Sequence, residues 1–290
     1  MSARLPTLQM TYTVLQAILW LFLSTIIGVM NVILIVPLFL GWLAGLFINY
    51  AADVLPFTRR FSHPVCSQCG TPYSWVDYLT LRPCRSCGEY RSLRTWLVQI
   101  LTSASFIYFW LFPSKSLGIP LGMIVLIYFG VITVIDLEHR LILHPTSLFG
   151  AVLGLLVGTF IHSRTDGLLL GLGKSLLGGL FGFGVMFLLY QFGTLVARIR
   201  ARKMQAAGQA DDEEEALGGG DVYLAGVLGL MLGWPFIFNA LVIGVLLGGL
   251  ISIVFLAALV LRRRYSSEAL MTFIPYGPYF IISALYILFF

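Results

Sequence analysis

Residues 121–136 read LGMIVLIYFGVITVID, a run of fifteen uncharged and mostly apolar residues that ends in Asp136. A second aspartate, Asp221, follows three consecutive glycines and precedes another apolar run. A carboxylate beside hydrocarbon is energetically costly, so an acid in this setting is by default a functional candidate. The two aspartates are therefore the first candidates for functional residues in this chain.

The composition excludes an ordinary soluble domain. Of the 290 residues, 59% are apolar and only 11% are charged, whereas soluble domains carry about 25% charged residues. The chain is predicted to be an all-α polytopic membrane protein in contact with membrane lipid. Its net charge of +5 is better explained by cationic loops on the cytoplasmic face than by a nucleic-acid partner, and we expect none.

The N-terminal region is too long for one membrane span. No charged residue occurs between Arg4 and Asp53, and a single helix of that length would measure roughly 70 Å against a hydrocarbon core of about 30 Å. We favour two spans there, the alternative being one span and an interfacial helix, and without an A-x-A-like cleavage site we expect this segment to be retained. Including it, the chain is predicted to have eight or nine spans, the apolar runs being 11–33, 36–53, 96–113, 119–135, 146–162, 168–197, 222–238, 240–261 and 271–290.

Three regions follow from this pattern. Residues 1–55 form the N-terminal membrane segment or segments, 56–95 a polar insert, and 96–290 a membrane domain with a cytoplasmic loop at 198–220. If the insert is cytoplasmic and there are nine spans, 15 of the 18 lysines and arginines fall on the cytoplasmic side. The positive-inside rule supports this topology, which also puts Asp136 and Asp221 at the cytoplasmic boundary.

All four cysteines of the chain lie in the insert, in two C-x-x-C pairs separated by fourteen residues. Two such pairs suit four thiolates around one tetrahedral Zn²⁺. A pair of disulfides is the alternative, although a cytoplasmic location argues against it. We predict a structural zinc site in a ribbon-like insert, because four cysteines leave no coordination position for water; the ligands are Cys66, Cys69, Cys84 and Cys87.

Each aspartate also has an ordinary explanation. Asp136 could be a boundary or capping residue, and Asp221 could be a simple N-cap. Three glycines (Gly218, Gly219 and Gly220) are more than a cap needs, and they would let an extended backbone approach the carboxylate. His139 and Arg140 lie on the Asp136 side of a helix, where they could tune its pKa or contact a substrate, or simply be interfacial polar residues.

Two carboxylates that come close together share a proton, so one can activate water while the other donates to a scissile carbonyl. The chain has no H-E-x-x-H or G-x-S-x-G motif, and its four histidines are scattered. Serine, cysteine and metal-dependent hydrolases are therefore poorly supported. A membrane transporter or scaffold without enzymatic activity, carrying a structural zinc domain, remains the alternative at this point.

Five collinear motifs resemble the type IV prepilin peptidase family, the membrane aspartyl proteases of the GxGD type. They are the glycine-rich segment 41–56 (GWLAGLFINYAADVLP), the double C-x-x-C insert, IDLEHR at 135–140, GGGD at 218–221 and IPYGP at 274–278. Tyr223 stands where the family commonly has lysine.

The resemblance implies that Asp136 and Asp221 are the catalytic pair, with Pro275 and Gly277 as further site residues. It implies cleavage of the basic leader of type IV prepilin or pseudopilin precursors, after a glycine and before a hydrophobic segment, at the cytoplasmic face of the bacterial inner membrane. Many members also N-methylate the new N-terminus with S-adenosylmethionine. Presenilin-like and preflagellin peptidases are related alternatives, and the zinc domain favours the prepilin branch.

An acidic run, Asp211 to Glu215, lies in the loop before Asp221. Its default interpretation is a solvated linker. The sharper hypothesis is that it attracts a basic leader.

Overall fold

The computed structural model describes residues 34–206, 218–261 and 276–290. Within these ranges there is no β-strand, only an isolated antiparallel bridge between Val65 and Pro72, so the all-α class is confirmed. The described helices are α1 (Leu34–Thr58), α2 (Trp75–Leu79), α3 (Leu93–Leu111), α4 (Gly118–His139), α5 (His144–Asp166), α6 (Leu168–Ala206), α7 (Gly219–Leu232), α8 (Phe236–Leu261) and α9 (Gly277–Phe289).

Five of the described helices, α1, α4, α5, α6 and α8, are long and apolar enough to cross a membrane. The prediction of a polytopic membrane protein is thereby confirmed. Helix α3, predicted as a span, has 19 residues but carries Arg94, Gln99 and several hydroxyl side chains, and it does not belong to this group. The predicted first span, 11–33, lies outside the described residues.

The predicted span 222–238 is not continuous. Helix α7 ends at Leu232 because Gly233 adopts a positive φ of 69°, and Pro235, which has no N–H to donate, precedes α8. At 14 residues, α7 is about 21 Å long and shorter than the hydrocarbon core. Helix α9, with 13 residues, is also short. Two of the three helices that meet at the candidate site, α7 and α9, are thus the shorter apolar ones.

Helices α1, α3 and α4 pack through one apolar cluster that includes Ile48, Val98 and Ile135. Buried amides join α1 to α3 inside it. Asn49 donates to the carbonyl of Thr95 at 3.2 Å, and Gln99, which is fully buried, donates to the carbonyl of Trp42 at 3.0 Å. Hydrogen bonds of this kind satisfy polar groups that would otherwise be costly in hydrocarbon.

Helix α7 lies at the centre of the larger cluster, and glycines let its neighbours approach it. A Cβ on Gly229 would lie 2.1 Å from the carbonyl oxygen of Gly178 on α6. A Cβ on Gly158 of α5 would lie 2.0 Å from the carbonyl oxygen of Leu230. The backbones therefore meet directly, as small residues allow in membrane helices. Helix α7 is held from two sides, with Ala225, Leu228 and Met231 almost fully buried.

We predict that Gly229→Ala destabilises the helix bundle by about 1–3 kcal/mol, because the new methyl group overlaps the α6 backbone. The measurement is the midpoint of unfolding in mixed detergent micelles. The matched control is Gly173→Ala on α6, where a Cβ would meet nothing within 4 Å. Equal midpoints for the two variants would contradict the close contact between α6 and α7.

Candidate functional site

Asp136 lies in the last turn of α4, where its side chain is buried. The residue is only 5% exposed, and its Oδ2 atom has no hydrogen-bond partner among the described residues. The helix ends directly after it, because Arg140 adopts a left-handed conformation with φ of 50° and its N–H bonds to the carbonyl of Asp136 at 2.9 Å. The carboxyl group therefore sits at the end of an apolar helix, as the sequence pattern predicted.

Asp221 lies in the first turn of α7. The N-cap residue is Gly218, whose carbonyl accepts from the N–H of Asp221 at 3.1 Å. The alternative in which Asp221 is itself the N-cap is therefore wrong. Its side chain is partly buried, and its Oδ2 atom lies 3.8 Å from the position that a Cβ on Gly218 would take.

The three glycines before Asp221 have different surroundings. A Cβ on Gly220 would lie 2.8 Å from the Cβ of Ile142, so this glycine lets α7 begin against the connection between α4 and α5. A Cβ on Gly219 would meet nothing within 4 Å. Gly220 is thus needed for packing, whereas Gly219 borders open space beside Asp221.

Gly277 is the residue that shows how α4, α7 and α9 meet. A Cβ on Gly277 would lie 2.3 Å from the Oδ2 atom of Asp136 and 3.5 Å from the Cδ2 atom of Leu224. Leu224 is one turn beyond Asp221 on α7. Asp136 is also close enough for its charge to act on Asp221. The start of α9 therefore closes over the acid of α4 and the first turns of α7; Pro275 lies outside the described residues.

His139 and Arg140 do not join this group. The ring of His139 packs edge-on against Phe57 at 5.4 Å between centroids, and its Nε2 is 3.9 Å from the carboxylate of Glu138. Arg140 is exposed. The structure records no contact between either side chain and Asp136.

An ionic network that sequence reasoning missed lies beside Asp136. Arg94 pairs with Asp53 of α1 and, at 3.0 Å, with Glu138 of α4. Tyr78 of the insert donates to the same Asp53. The network thus joins α1, the insert, the start of α3 and the end of α4. Asp53 at the end of an apolar run was a visible signal, but its partners come from distant parts of the chain.

The four cysteines form one compact group outside the membrane helices. Their sulfur atoms all lie within 4.8 Å of one another, and the Cys66–Cys87 and Cys69–Cys84 sulfur pairs are each 3.7 Å apart. Four thiolates at about 2.3 Å from a tetrahedral Zn²⁺ would be separated by about 3.8 Å. All four cysteines are free, so the disulfide alternative is not the arrangement seen.

Each C-x-x-C pair is formed by the same kind of turn. Gly70 and Gly88 have φ of 70° and 73°, and their N–H groups bond to the carbonyls of Cys66 and Cys84 at 2.9 and 2.8 Å. Backbone N–H groups of Cys87 and Ser86 lower the pKa of the Cys84 thiol, whereas desolvation and hydrogen bonds with neighbouring cysteines raise that of Cys87. The thiolate is the form that binds a metal, and the four converging sulfur atoms fit Zn²⁺.

We predict that Cys66→Ser reduces bound zinc from about one ion per chain to a small fraction of that value, because a serine hydroxyl is a poor zinc ligand. Zinc quantification on the purified protein measures this, and limited proteolysis should show faster cutting between residues 59 and 92. Ser86→Ala, between two of the cysteines but without a ligand atom, is the control. Full zinc content in Cys66→Ser would overturn the assignment.

Comparisons with known proteins bear on the membrane part of the chain. Residues 121–253 match the model of the type IV leader peptidase family. A prepilin leader peptidase/N-methyltransferase of Myxococcus xanthus (strain DK1622) is 28% identical over 233 residues, which cover 76% of this chain and 62% of that protein. One of the same description from Aeromonas salmonicida (strain A449) is 28% identical over 229 residues, 77% of this chain and 67% of the relative.

The chain thus aligns with about two thirds, or slightly less, of the length of these curated relatives. No solved structure matches it. The family model covers both Asp136 and Asp221, and the resemblance drawn from the five motifs is confirmed: residues 121–253 of this chain are similar to the type IV leader peptidase family.

Proposed function

We propose that this protein is an aspartyl endopeptidase of the membrane that removes the basic leader from type IV prepilin or pseudopilin precursors. Asp136 and Asp221 are its catalytic pair, and water is the nucleophile. The observation that carries this proposal is the position of Gly277, whose backbone lies against the carboxyl group of Asp136 and the first turns of α7.

The chemistry follows from the shared location of the two acids. Two carboxyl groups close enough to share a proton cannot both ionise readily, so such a pair would exchange protons as a unit. The ionised member takes a proton from water while the protonated member donates to the scissile carbonyl. The buried Oδ2 of Asp136 has no hydrogen-bond partner among the described residues, so no other side chain there competes for its proton.

The surroundings of Asp221 fit a peptide substrate. Gly219 borders open space, so an extended backbone has room to approach the carboxyl group without meeting a side chain. Gly218, which also lacks a side chain, leaves similar room in the part of the loop next to Asp221. This is the role expected for the three glycines, although Gly220 is also required where α7 packs on Ile142.

The reaction would take place at the cytoplasmic face of a bacterial inner membrane. The charge asymmetry supports this orientation, with 15 of 18 basic residues on the side of the insert and of the two acids if the chain has nine spans. Asp166 and Lys174 pair at 2.6 Å. They lie near the connection between α5 and α6, at the end of these helices away from the two acids. The insert, with its zinc, would stand on the cytoplasmic side next to the site.

N-methylation of the new N-terminus is a second candidate activity. It rests on the names of the two relatives, which are described as prepilin leader peptidase/N-methyltransferases. S-adenosylmethionine would be the methyl donor. The transporter or scaffold alternative is disfavoured, because the two acids lie at one end of the bundle rather than along a path through it.

One experiment tests both activities. The purified protein is incubated with a pilin precursor, with and without S-adenosylmethionine, and the N-terminus of the product is analysed by mass spectrometry. Leader removal in both samples is the expected result, with an added methyl group only in the sample that contains the donor. An intact precursor in both samples would refute the peptidase.

We predict that Asp136→Asn and Asp221→Asn each lower precursor cleavage by roughly 100-fold or more, the usual contribution of general acid–base groups. Initial rates of leader release measure the effect, and thermal unfolding confirms that each variant is folded. Asp166→Asn, an acid at the other end of the bundle, should keep near-normal cleavage. A substantial residual rate in either catalytic variant would disprove the pair.

We also predict that Gly277→Ala reduces cleavage at least about tenfold, since the methyl group would displace a carboxyl group that needs accurate placement. The loss should appear in kcat more than in KM. Gly249→Ala, where a Cβ would meet nothing within 4 Å, is the matched control. Wild-type kcat in Gly277→Ala would show that the Asp136 carboxyl group does not depend on this contact.

A further inference from the structure

The short helix α2 of the insert has a reversed polarity. Its residues Trp75, Val76 and Leu79 are 43%, 62% and 49% exposed, whereas Asp77 and Tyr78 are each only 2% exposed. A helix at the surface of a soluble domain shows the opposite arrangement, with its apolar side chains against the core. The three exposed residues lie on one side of the helix, and together they form what we call the apolar face of α2.

The buried side of α2 is held by polar contacts. The carboxylate of Asp77 pairs with Arg85, whose Nε atom lies 2.6 Å away, and the hydroxyl of Tyr78 donates to Asp53 of α1. A buried carboxylate that lost its partner would be strongly destabilising. The helix therefore cannot rotate to bury its apolar face, and this face stays directed away from the protein.

Contacts with α1 place α2 at the depth of the membrane boundary. Helix α1 is long and apolar enough to cross a membrane, and Asp53 near its end joins the ionic network with Arg94 and Glu138. Such a layer of charges marks where hydrocarbon ends. Tyr50 lies three residues before Asp53, about 4.5 Å nearer the middle of the span. Its ring packs against Trp75 at 5.5 Å between centroids, so the start of α2 is level with the last apolar turns of α1.

A second exposed aromatic ring lies at the same level. Phe61 stacks on Tyr50 at 6.2 Å between centroids, and it is 68% exposed. The exposed residues inside the two C-x-x-C turns are instead polar, namely Ser67, Gln68, Arg85 and Ser86. The insert thus presents apolar side chains beside α1 and polar ones in its cysteine turns.

We propose that the apolar face of α2, together with Phe61, is embedded in the interfacial layer of the bilayer, so that lipid anchors the insert beside α1. Tryptophan is enriched at this depth, because its ring is apolar and its N–H group is polar. The exposed arginines of the same region, Arg59, Arg60 and Arg82, suit anionic headgroups. The anchor would hold Tyr78 on Asp53, and through it the network that ends at Glu138.

The depth of α2 selects lipid over a soluble protein partner. A soluble protein cannot reach a face that is level with the last apolar turns of a membrane-crossing helix. Another membrane segment, for example from a second copy of this chain, could reach it, and the experiment must separate that occupant from lipid. The proposal does not depend on peptidase activity, because it uses only α1 and the contacts of the insert.

A spin label introduced at Val76 as a noncanonical amino acid measures the surroundings of this face and leaves the four cysteines unchanged. The protein is placed in nanodiscs of phosphatidylethanolamine and phosphatidylglycerol. Its collisions with oxygen, which concentrates in lipid, are compared with collisions with a water-soluble nickel complex. We expect the oxygen-to-nickel ratio to be at least about threefold higher at position 76 than at position 86, in a cysteine turn, because apolar interfacial residues enter the acyl boundary.

Leu79 provides a second labelling position if the label at position 76 disturbs folding, and the thermal unfolding midpoint shows which labelled proteins are folded. Frequent nickel collisions at positions 76 and 79, equal to those at 86, would place the face in water and overturn the anchor. Infrequent collisions with both probes would mean that protein covers the face, which would overturn it as well. Loss of that protection at one chain per nanodisc would identify a second copy as the cover.

A double variant, Val76→Glu with Leu79→Glu, tests whether lipid holds the insert in place. In the same nanodiscs, proteolytic cutting between residues 59 and 92 should become roughly tenfold faster, because two carboxylates are costly at a face that meets hydrocarbon. Gln68→Glu with Ser86→Glu adds the same charge to the cysteine turns and should leave the cutting rate nearly unchanged. Equal rates for the two double variants would show that lipid does not anchor the insert.

Discussion

The close approach of the α7 backbone to α5 and α6 is the contact on which the rest of the membrane domain depends. Glycines at the crossing points, such as Gly158, Gly178 and Gly229, replace side chains with direct backbone contact. Only this spacing lets a helix of 14 residues lie in the middle of the bundle and present Asp221 at its start. Larger residues would push α7 outward and separate its first turn from Asp136.

A second constraint acts from outside the membrane helices. Tyr78 of the insert and Arg94 of α3 both contact Asp53 of α1, and Arg94 continues to Glu138, two residues after Asp136. Because the network holds the end of α4, the fold of the insert is linked to the placement of the first acid. A metal in the four-cysteine group would stabilise the insert, which has only a small apolar cluster of its own.

Several local features could be predicted from the sequence because they depend on neighbouring residues. The apolar runs, the paired C-x-x-C spacing and the two acids at the ends of apolar segments are of this kind. The interruption after Leu232 was missed because the apolar run continues on both sides of Gly233 and Pro235, although both residues are helix-stop signals. The Asp53–Arg94–Glu138 network was missed because its members are about 40 residues apart in the chain.

By itself, the sequence determined that this chain is a helical membrane protein with a four-cysteine insert and two exceptional aspartates, since composition, periodicity and the cost of burying charge are local quantities. Only the tertiary structure decided that Gly277 lies against Asp136 and α7, and that the backbones of α5 and α6 meet the backbone of α7 directly. Those facts depend on how helices far apart in sequence pack together, and side-chain volumes at their crossing points fix that packing.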